Sequence, residues 1–310
     1  MSSELHCRFV LSEGVSSVRA PDLSGGSRPP IPRSAKIELT SRCDMRCYFC
    51  ASVTRAQKQS DMDPALYRRL ARELRTAGVE RLGLFYIGES MLYEDLPGAI
   101  RYAKEECRFP YVFLTTNGLS ATPERLRACF EAGLDSLKFA INWSPPQFQA
   151  ITGVPASELG AILANVKQAR SVRDDVEFET GHHCALYASS LRYDEAQPRR
   201  MQALLDEVLR CVDHHYWLPL LGHPDSPLER EGRPVPVKAL PCGPLFAEAH
   251  VTWDGKLSAC SLDASARFHV ADLNTTSLTE AWHSEAFQAL RERHLQHDVK
   301  GTRCRQCIAY

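Results

Sequence analysis

No apolar run in this 310-residue chain approaches the ~18 residues that would span a bilayer. The segment Met1 to Val10 holds no apolar core of signal-peptide length. Neither sign of charge is in excess: 37 Lys and Arg stand against 38 Asp and Glu, a formal net charge of −1. A nucleic-acid binder would show a basic footprint, and no run of aromatics interleaved with Lys or Arg is present. These absences lead us to expect no membrane partner, no nucleic-acid partner and a cytoplasmic location.

Cysteine, by contrast, is abundant. There are 12 in a chain of ordinary globular composition, 44% hydrophobic and 24% charged. Without a secretory leader they read as metal ligands in a reducing compartment rather than a disulfide framework. Seven fall into two patterned groups, while Cys7, Cys107, Cys129, Cys184 and Cys211 stand alone. Most lone cysteines are simply small buried hydrophobes.

The first group is Cys43-Asp44-Met45-Arg46-Cys47-Tyr48-Phe49-Cys50, in a loop after an expected strand from Ala35 to Thr40. Thiolates are soft ligands that suit zinc and iron–sulfur clusters. No histidine lies within the loop to complete a closed zinc site. Three thiolates on a cubane cluster leave one iron open to an external chelate, such as the amino and carboxylate groups of a methionine. Three structural thiols, or zinc with a distant fourth ligand, are the alternatives at this point.

Residues 1–34 read as an extension with a short strand at Cys7 to Leu11 and a Pro/Gly-rich linker. From residue 35 to 221, strands and helices alternate. Asp63-Pro64 opens a helix that Gly78 ends. Strands are expected at Arg81 to Ile87, Tyr111 to Thr115, Ser136 to Ile141, Val176 to Thr180 and Val212 to Leu218. Helices are expected at Asp95 to Glu106, from Thr122-Pro123 to Gly133, at Ser157 to Val172 and at Arg199 to Leu209. Six β/α repeats imply an α/β fold of parallel strands with helices outside. Chemistry in such folds sits at the carboxyl ends of the strands, where the cysteine loop lies. The pattern does not separate a barrel from an open sheet.

Residues 222–241 form a bridging loop rich in Pro and Gly. Residues 242–310 change architecture. Phe246 to Thr252 and Lys256 to Ser261 flank Asp254-Gly255, a hairpin signal. Leu278 to His294 reads as one helix with Leu278, Ala281, Trp282, Ala286, Phe287 and Leu290 on one face.

The C-x3-C-x2-C loop, with Phe49 before the third cysteine, resembles the radical S-adenosylmethionine (SAM) superfamily. The resemblance implies a partial (β/α)6 TIM-type barrel and a [4Fe–4S] cluster on Cys43, Cys47 and Cys50. Reduced, that cluster would cleave SAM to methionine and a 5′-deoxyadenosyl radical. Tyr86-Ile87-Gly88-Glu89-Ser90 resembles the family's Gly-Gly-Glu motif, with Ile in place of the first Gly. An acid there faces the SAM ammonium in a charge-assisted pair, and the glycine allows close backbone approach. Thr115-Thr116-Asn117-Gly118 is similar to the family's sequence after strand three. Asn142 stands near the position of a ribose contact, since Ala140 replaces a frequent serine. The implied SAM-binding positions are therefore Phe49, Gly88, Glu89, Thr116, Asn117 and Asn142. An external electron donor of flavodoxin or ferredoxin type is also implied.

The second group is Cys242, Cys260, Cys304 and Cys307. Four thiolates suit a zinc ribbon or a cluster. The order Cys242, Gly255, Cys260, helix, C-x2-C resembles the SPASM domain and its shorter twitch form. It implies one auxiliary [4Fe–4S] cluster that moves electrons.

Twitch proteins of this plan include dehydrogenases and epimerases of aminocyclitols and aminoglycosides, and SPASM relatives modify ribosomal peptides. The expected activity is hydrogen abstraction from a carbinol C–H of a small polar substrate, giving dehydrogenation or epimerisation, as in antibiotic biosynthesis. Peptide modification and a non-catalytic zinc scaffold are the alternatives. Gly181-His182-His183-Cys184 is expected at the carboxyl end of strand five, with Cys184 a hydrogen-atom donor or a buried thiol. One of His214 and His215 should face the lumen. Glu229, Arg230 and Arg233 are loop charges within reach of a substrate or simply solvated.

Overall fold

The computed structural model describes residues 23–54, 59–192, 195–220, 240–263 and 266–306. The expected strand at Cys7 to Leu11, the charges at Glu229, Arg230 and Arg233, and Cys307 lie outside the described residues.

Six parallel strands follow the chain in order: β1 (Ser34–Ile37), β2 (Arg81–Gly83), β3 (Tyr111–Thr116), β4 (Ser136–Ala140), β5 (Ala185–Arg192) and β6 (His214–Pro219). Helices cover their outer face: α1 (Pro64–Thr76), α2 (Leu96–Arg101), α3 (Pro123–Glu131), α4 (Phe148–Thr152), α5 (Leu159–Thr180) and α6 (Gln197–Val208). This is the partial (β/α)6 barrel that the family resemblance implies. Local chemistry starts the helices. The Asp63 carboxylate accepts from the amides of Ala65 and Leu66, and Pro64 stands at the first helical position. α1 then buries Tyr67, Leu70, Ala71 and Leu74. No helix among the described residues is long and apolar enough to cross a membrane.

Side chains alternate in direction along β1. Ala35, Ile37 and Leu39 are buried under the helices, while Ser34, Lys36 and Glu38 point into the lumen. β4 repeats the pattern, with Leu137 and Phe139 buried outward and Lys138 inward.

The C-terminal segment does not form a separate sheet. After one helical turn, α7 (Pro244–Ala247), strand β7 (Glu248–Val251) pairs in parallel with β1. β8 (Lys256–Ser258) and β9 (His269–Asp272) then add antiparallel, giving one nine-stranded sheet ordered β6-β5-β4-β3-β2-β1-β7-β8-β9. The Asp254-Gly255 hairpin is present as expected, with Gly255 at φ 81°. Its joining the barrel edge was not foreseen.

Three expectations are corrected. Val176 to Thr180 is not a strand: α5 runs unbroken to Thr180 and ends at Gly181, φ 74°. Val176 continues the buried stripe of Ile162, Asn165, Val166, Ala169 and Arg173, and that packing overrides the alternation of Val-Glu-Phe-Glu-Thr. The true fifth strand, β5, begins at Ala185. Gly181 to Cys184 therefore precedes its strand, at the amino end of the barrel and away from the cysteine loop. Cys184 is 1% exposed, and burial pushes its thiol well above the ordinary range. A hydrogen-atom donor must meet the substrate at the other end, so that role is withdrawn. His182 meets the Leu134 carbonyl at 2.9 Å and His183 meets Glu177 at 2.7 Å, also away from the carboxyl face. The single helix expected from Leu278 is two, α8 (Leu278–Trp282) and α9 (Glu285–Leu295). Ser284 restarts the second by accepting from the Phe287 amide.

Candidate active site and thiol loops

The cysteine loop is strapped to the barrel rim from four directions. From its own side, Arg42 chelates the Asp61 carboxylate at 2.9 and 2.7 Å. From the loop after β2, the Glu89 amide donates to the Arg42 carbonyl at 2.8 Å. From the loop after β3, Asn117 and Ser120 donate to the two Asp44 oxygens at 2.6 and 2.8 Å. From α4, the Thr152 and Ile151 carbonyls accept from the Arg46 and Tyr48 amides at 2.7 and 2.9 Å. The three motif stretches thus converge at one rim.

The thiols carry the marks of ligands. Cys43, Cys47 and Cys50 are half-buried around this loop. Burial pushes Cys43 up to about 12, opposed by a hydrogen bond from the Met45 backbone, and burial raises Cys47 as well. The Ser52 amide donates to the Cys50 sulfur at 3.5 Å. Backbone donors aimed at sulfur favour thiolate, while burial without a counter-charge opposes it. A cationic metal centre resolves that conflict, so this three-thiol set suits a cluster. Phe49 packs edge-on to Tyr48, with centroids 5.5 Å apart.

Glycine at 88 is required by space. A Cβ there would sit 2.1 Å from the Thr40 carbonyl oxygen and 2.9 Å from that of Arg42. The close approach is to the cysteine loop itself. Glu89 is 4% exposed; its carboxylate accepts from the Met91 and Asn117 amides at 3.0 and 2.7 Å. Burial lifts it to about 7, against those hydrogen bonds. An arriving ammonium would relieve this cost. Thr116 is buried and accepts from the Gly118 amide at 3.1 Å, so it shapes the turn. The Asn142 side-chain oxygen accepts from Leu191 at 2.9 Å and ties the ends of β4 and β5.

In the C-terminal group, Cys242 donates its amide to His294 at 3.3 Å, and the Leu262 amide meets the Cys260 sulfur at 3.4 Å. Cys304 is buried. The Cys260 carbonyl accepts from the Tyr86 hydroxyl, which itself accepts from the Asp263 amide at 3.1 Å. Tyr86 opens the motif stretch after β2, so it joins the two thiol groups directly. Nearby Arg291 is fully buried, lies 4.1 and 3.7 Å from the Trp282 and Phe287 ring centroids, and donates to the Leu245 and Trp282 carbonyls. Burial lowers it to about 9.

Several site residues escaped the motif reading. Glu38, fully buried, accepts from the Ile87, Gly88 and Trp253 amides, each at 3.3 Å. Lys36 pairs with Glu248 at 2.7 Å, and Glu248 also meets His250 at 2.8 Å. Burial works against the Glu248 carboxylate, yet Lys36 and His250 hold it well below the ordinary range. The signal was available: Lys-Ile-Glu at the end of β1 and just beyond it, Leu-Lys-Phe in β4 and Glu-Ala-His in β7 each interleave charge with apolar residues. Of the paired histidines, His214 stacks on Tyr187 and His215 bonds Ser190 at 3.0 Å. Tyr187 shares its register with Lys138, so His214 takes the lumen side.

Comparison with known proteins agrees with this arrangement. The family described as the radical SAM superfamily matches residues 37–209, and an iron–sulfur cluster-binding domain, SPASM, matches residues 242–308. GTP 3′,8-cyclase of Mycobacterium marinum is 30% identical over 239 residues, 67% of this chain and 63% of that protein. The S-adenosyl-L-methionine-dependent 2-deoxy-scyllo-inosamine dehydrogenase of Niallia circulans is 29% identical over 101 residues, 32% of this chain and 40% of that protein. The chain thus spans less than two thirds of the length of these curated relatives. Among solved structures, BtrN in complex with AdoMet and 2-DOIA superposes with a TM-score of 0.56 at 16% identity, covering 84% of this chain and 86% of BtrN. Streptococcus suis SuiB bound to the precursor peptide SuiA gives 0.59 at 14%, covering 92% and 71%.

Proposed function

Because the chain belongs to the radical SAM superfamily and carries a cluster-binding domain after its barrel, we propose that it oxidises a carbinol carbon of a small, polar, cyclitol-like substrate. When bound, the two iron–sulfur clusters and SAM supply a 5′-deoxyadenosyl radical and an acceptor for the substrate's electron. Cys43, Cys47 and Cys50 hold the first cluster; Cys242, Cys260, Cys304 and Cys307 hold the second. Glu89 presents its carboxylate to the SAM ammonium, and the Asn117 turn fixes the Glu89 rotamer through its amide. Tyr86 keeps the second thiol group docked against the barrel rim.

The observation that carries this reading is the convergence of the three-thiol loop with the Glu89 and Asn117 turns at one rim. Dehydrogenation is preferred over epimerisation because the thiol that would return a hydrogen atom, Cys184, lies at the wrong end of the barrel. The similarity to a named dehydrogenase points the same way. Peptide modification is the second reading, favoured by the likeness to peptide-bound SuiB.

The test is anaerobic purification, an iron count near eight per chain for two four-iron clusters, and product mass. Dehydrogenation gives a product two mass units lighter than the substrate; epimerisation in deuterated water gives one a unit heavier. A colourless zinc protein ends the radical reading altogether.

A further inference from the structure

Lys138 occupies the middle of β4 and faces the lumen. Its neighbours Leu137 and Phe139 are fully buried on the helix side, whereas Lys138 is only half-buried by access to solvent. The side chain therefore lies on the lumen face of the barrel. Among the described residues it makes no hydrogen bond or ion pair, and it lies 6.0 Å from the centroid of the Tyr216 ring. The Tyr216 hydroxyl is buried beside Ser189.

The nearby charges are already engaged. Glu248 accepts from Ser34 at 3.1 Å, Lys36 at 2.7 Å and His250 at 2.8 Å. Glu38 is held by three backbone amides. Burial, and then the charge on Lys36, lowers Lys138 to about 8, with Glu248 opposing. A half-buried, lumen-facing cation without a partner among the described residues fits a ligand group that only accepts.

We propose that Lys138, on the lumen face beside the Tyr216 ring, anchors a binding site for one oxyanionic group of the substrate, a carboxylate or a phosphate. The site rests on the reading that the lumen is the substrate chamber, and it sharpens that reading. An ammonium of an aminocyclitol would be repelled here, so any amino group must turn away from β4. Charge-assisted bonds from Lys138 would orient the substrate beneath the rim.

The experiment is competitive trace labelling of wild-type, cluster-loaded protein with acetic anhydride, read by peptide mass spectrometry. Inorganic phosphate, malonate and neutral inositol are added in turn against sodium chloride of equal ionic strength. We expect phosphate or malonate to slow labelling of Lys138 at least fivefold while surface Lys167 is unchanged; the anion that protects identifies the group. Equal labelling in all four solutions overturns the site, as does protection by inositol alone. Reductive SAM cleavage is scored on the same preparation. Its absence overturns the radical reading but not an observed footprint, and cleavage without a footprint overturns only the oxyanion site.

Discussion

The two thiol groups are assembled in opposite ways. The barrel loop collects Cys43, Cys47 and Cys50 from eight consecutive residues, and the rest of the rim merely straps that loop down. The C-terminal group collects Cys242, Cys260 and Cys304 from the start of α7, the end of β8 and the turn after α9. These segments come together only once the hairpin has docked on β1 and both helices have packed. Closing such a set costs more chain entropy than closing a local loop. Yet both groups aim an amide from two residues downstream at a sulfur, Ser52 to Cys50 and Leu262 to Cys260. The backbone setting of these two sulfurs is similar, while the scale of folding that assembles each group differs.

The strongest way to break the comparison is at the local loop. Replacing Cys43, Cys47 or Cys50 by Ala should abolish 5′-deoxyadenosine formation while the C-terminal cluster keeps its iron. Wild-type cleavage in any of the three would refute the assignment. Next, Cys260→Ala or Cys307→Ala should remove about half the iron by the two-cluster count, and should also lower the melting temperature because these ligands staple distant segments. Undiminished iron with an unchanged spectrum would point to zinc or thiols alone.

A smaller effect is expected from backbone space. Gly88→Ala forces a methyl group toward the Thr40 carbonyl, and we expect a loss of about 1–3 kcal/mol together with weakened SAM binding. Gly160→Ala, where a Cβ meets nothing within 4 Å, should instead stabilise by about 0.5–1 kcal/mol. Urea midpoints of the two variants settle the contrast.

The smallest effect concerns Glu89. Its native carboxyl holds a proton up to about 7, above the ordinary carboxylate range. Between those limits the folded state binds more protons than the unfolded one. The stability it contributes is therefore full at the acid end and falls as pH rises through 7. Glu89→Gln should flatten this slope in denaturation series run without SAM. An unchanged slope would show that Glu89 is not the titrating group.

How much was legible follows the same division between local and distant. Caps and turns written in adjacent residues were readable: Asp63-Pro64, Thr122-Pro123, Asp254-Gly255 and the cysteine loop. The rim stretches at Gly88-Glu89 and Thr116-Asn117 were also identified, through their resemblance to family motifs. The failures needed tertiary knowledge. Val176 to Thr180 alternates like a strand, but a buried stripe begun at Ile162 keeps it helical and leaves Phe178 92% exposed. That single misplacement carried Cys184 to the wrong end of the barrel. Nothing in the hairpin sequence says that β7 will find β1, and the roles of Lys36, Glu38 and Glu248 depend on that pairing.

The pairing of β7 with β1 also bears on how the chain is made. β1 emerges from the ribosome about 210 residues before the strand that covers its outer edge. At roughly 5–20 residues per second, that edge waits some ten to forty seconds with its backbone groups unpaired. An uncovered strand edge is a template for association with another chain. Expression in the cell should therefore depend on chaperones that shield the nascent barrel, and a stop codon placed before residue 248 should yield inclusion bodies rather than a smaller working enzyme.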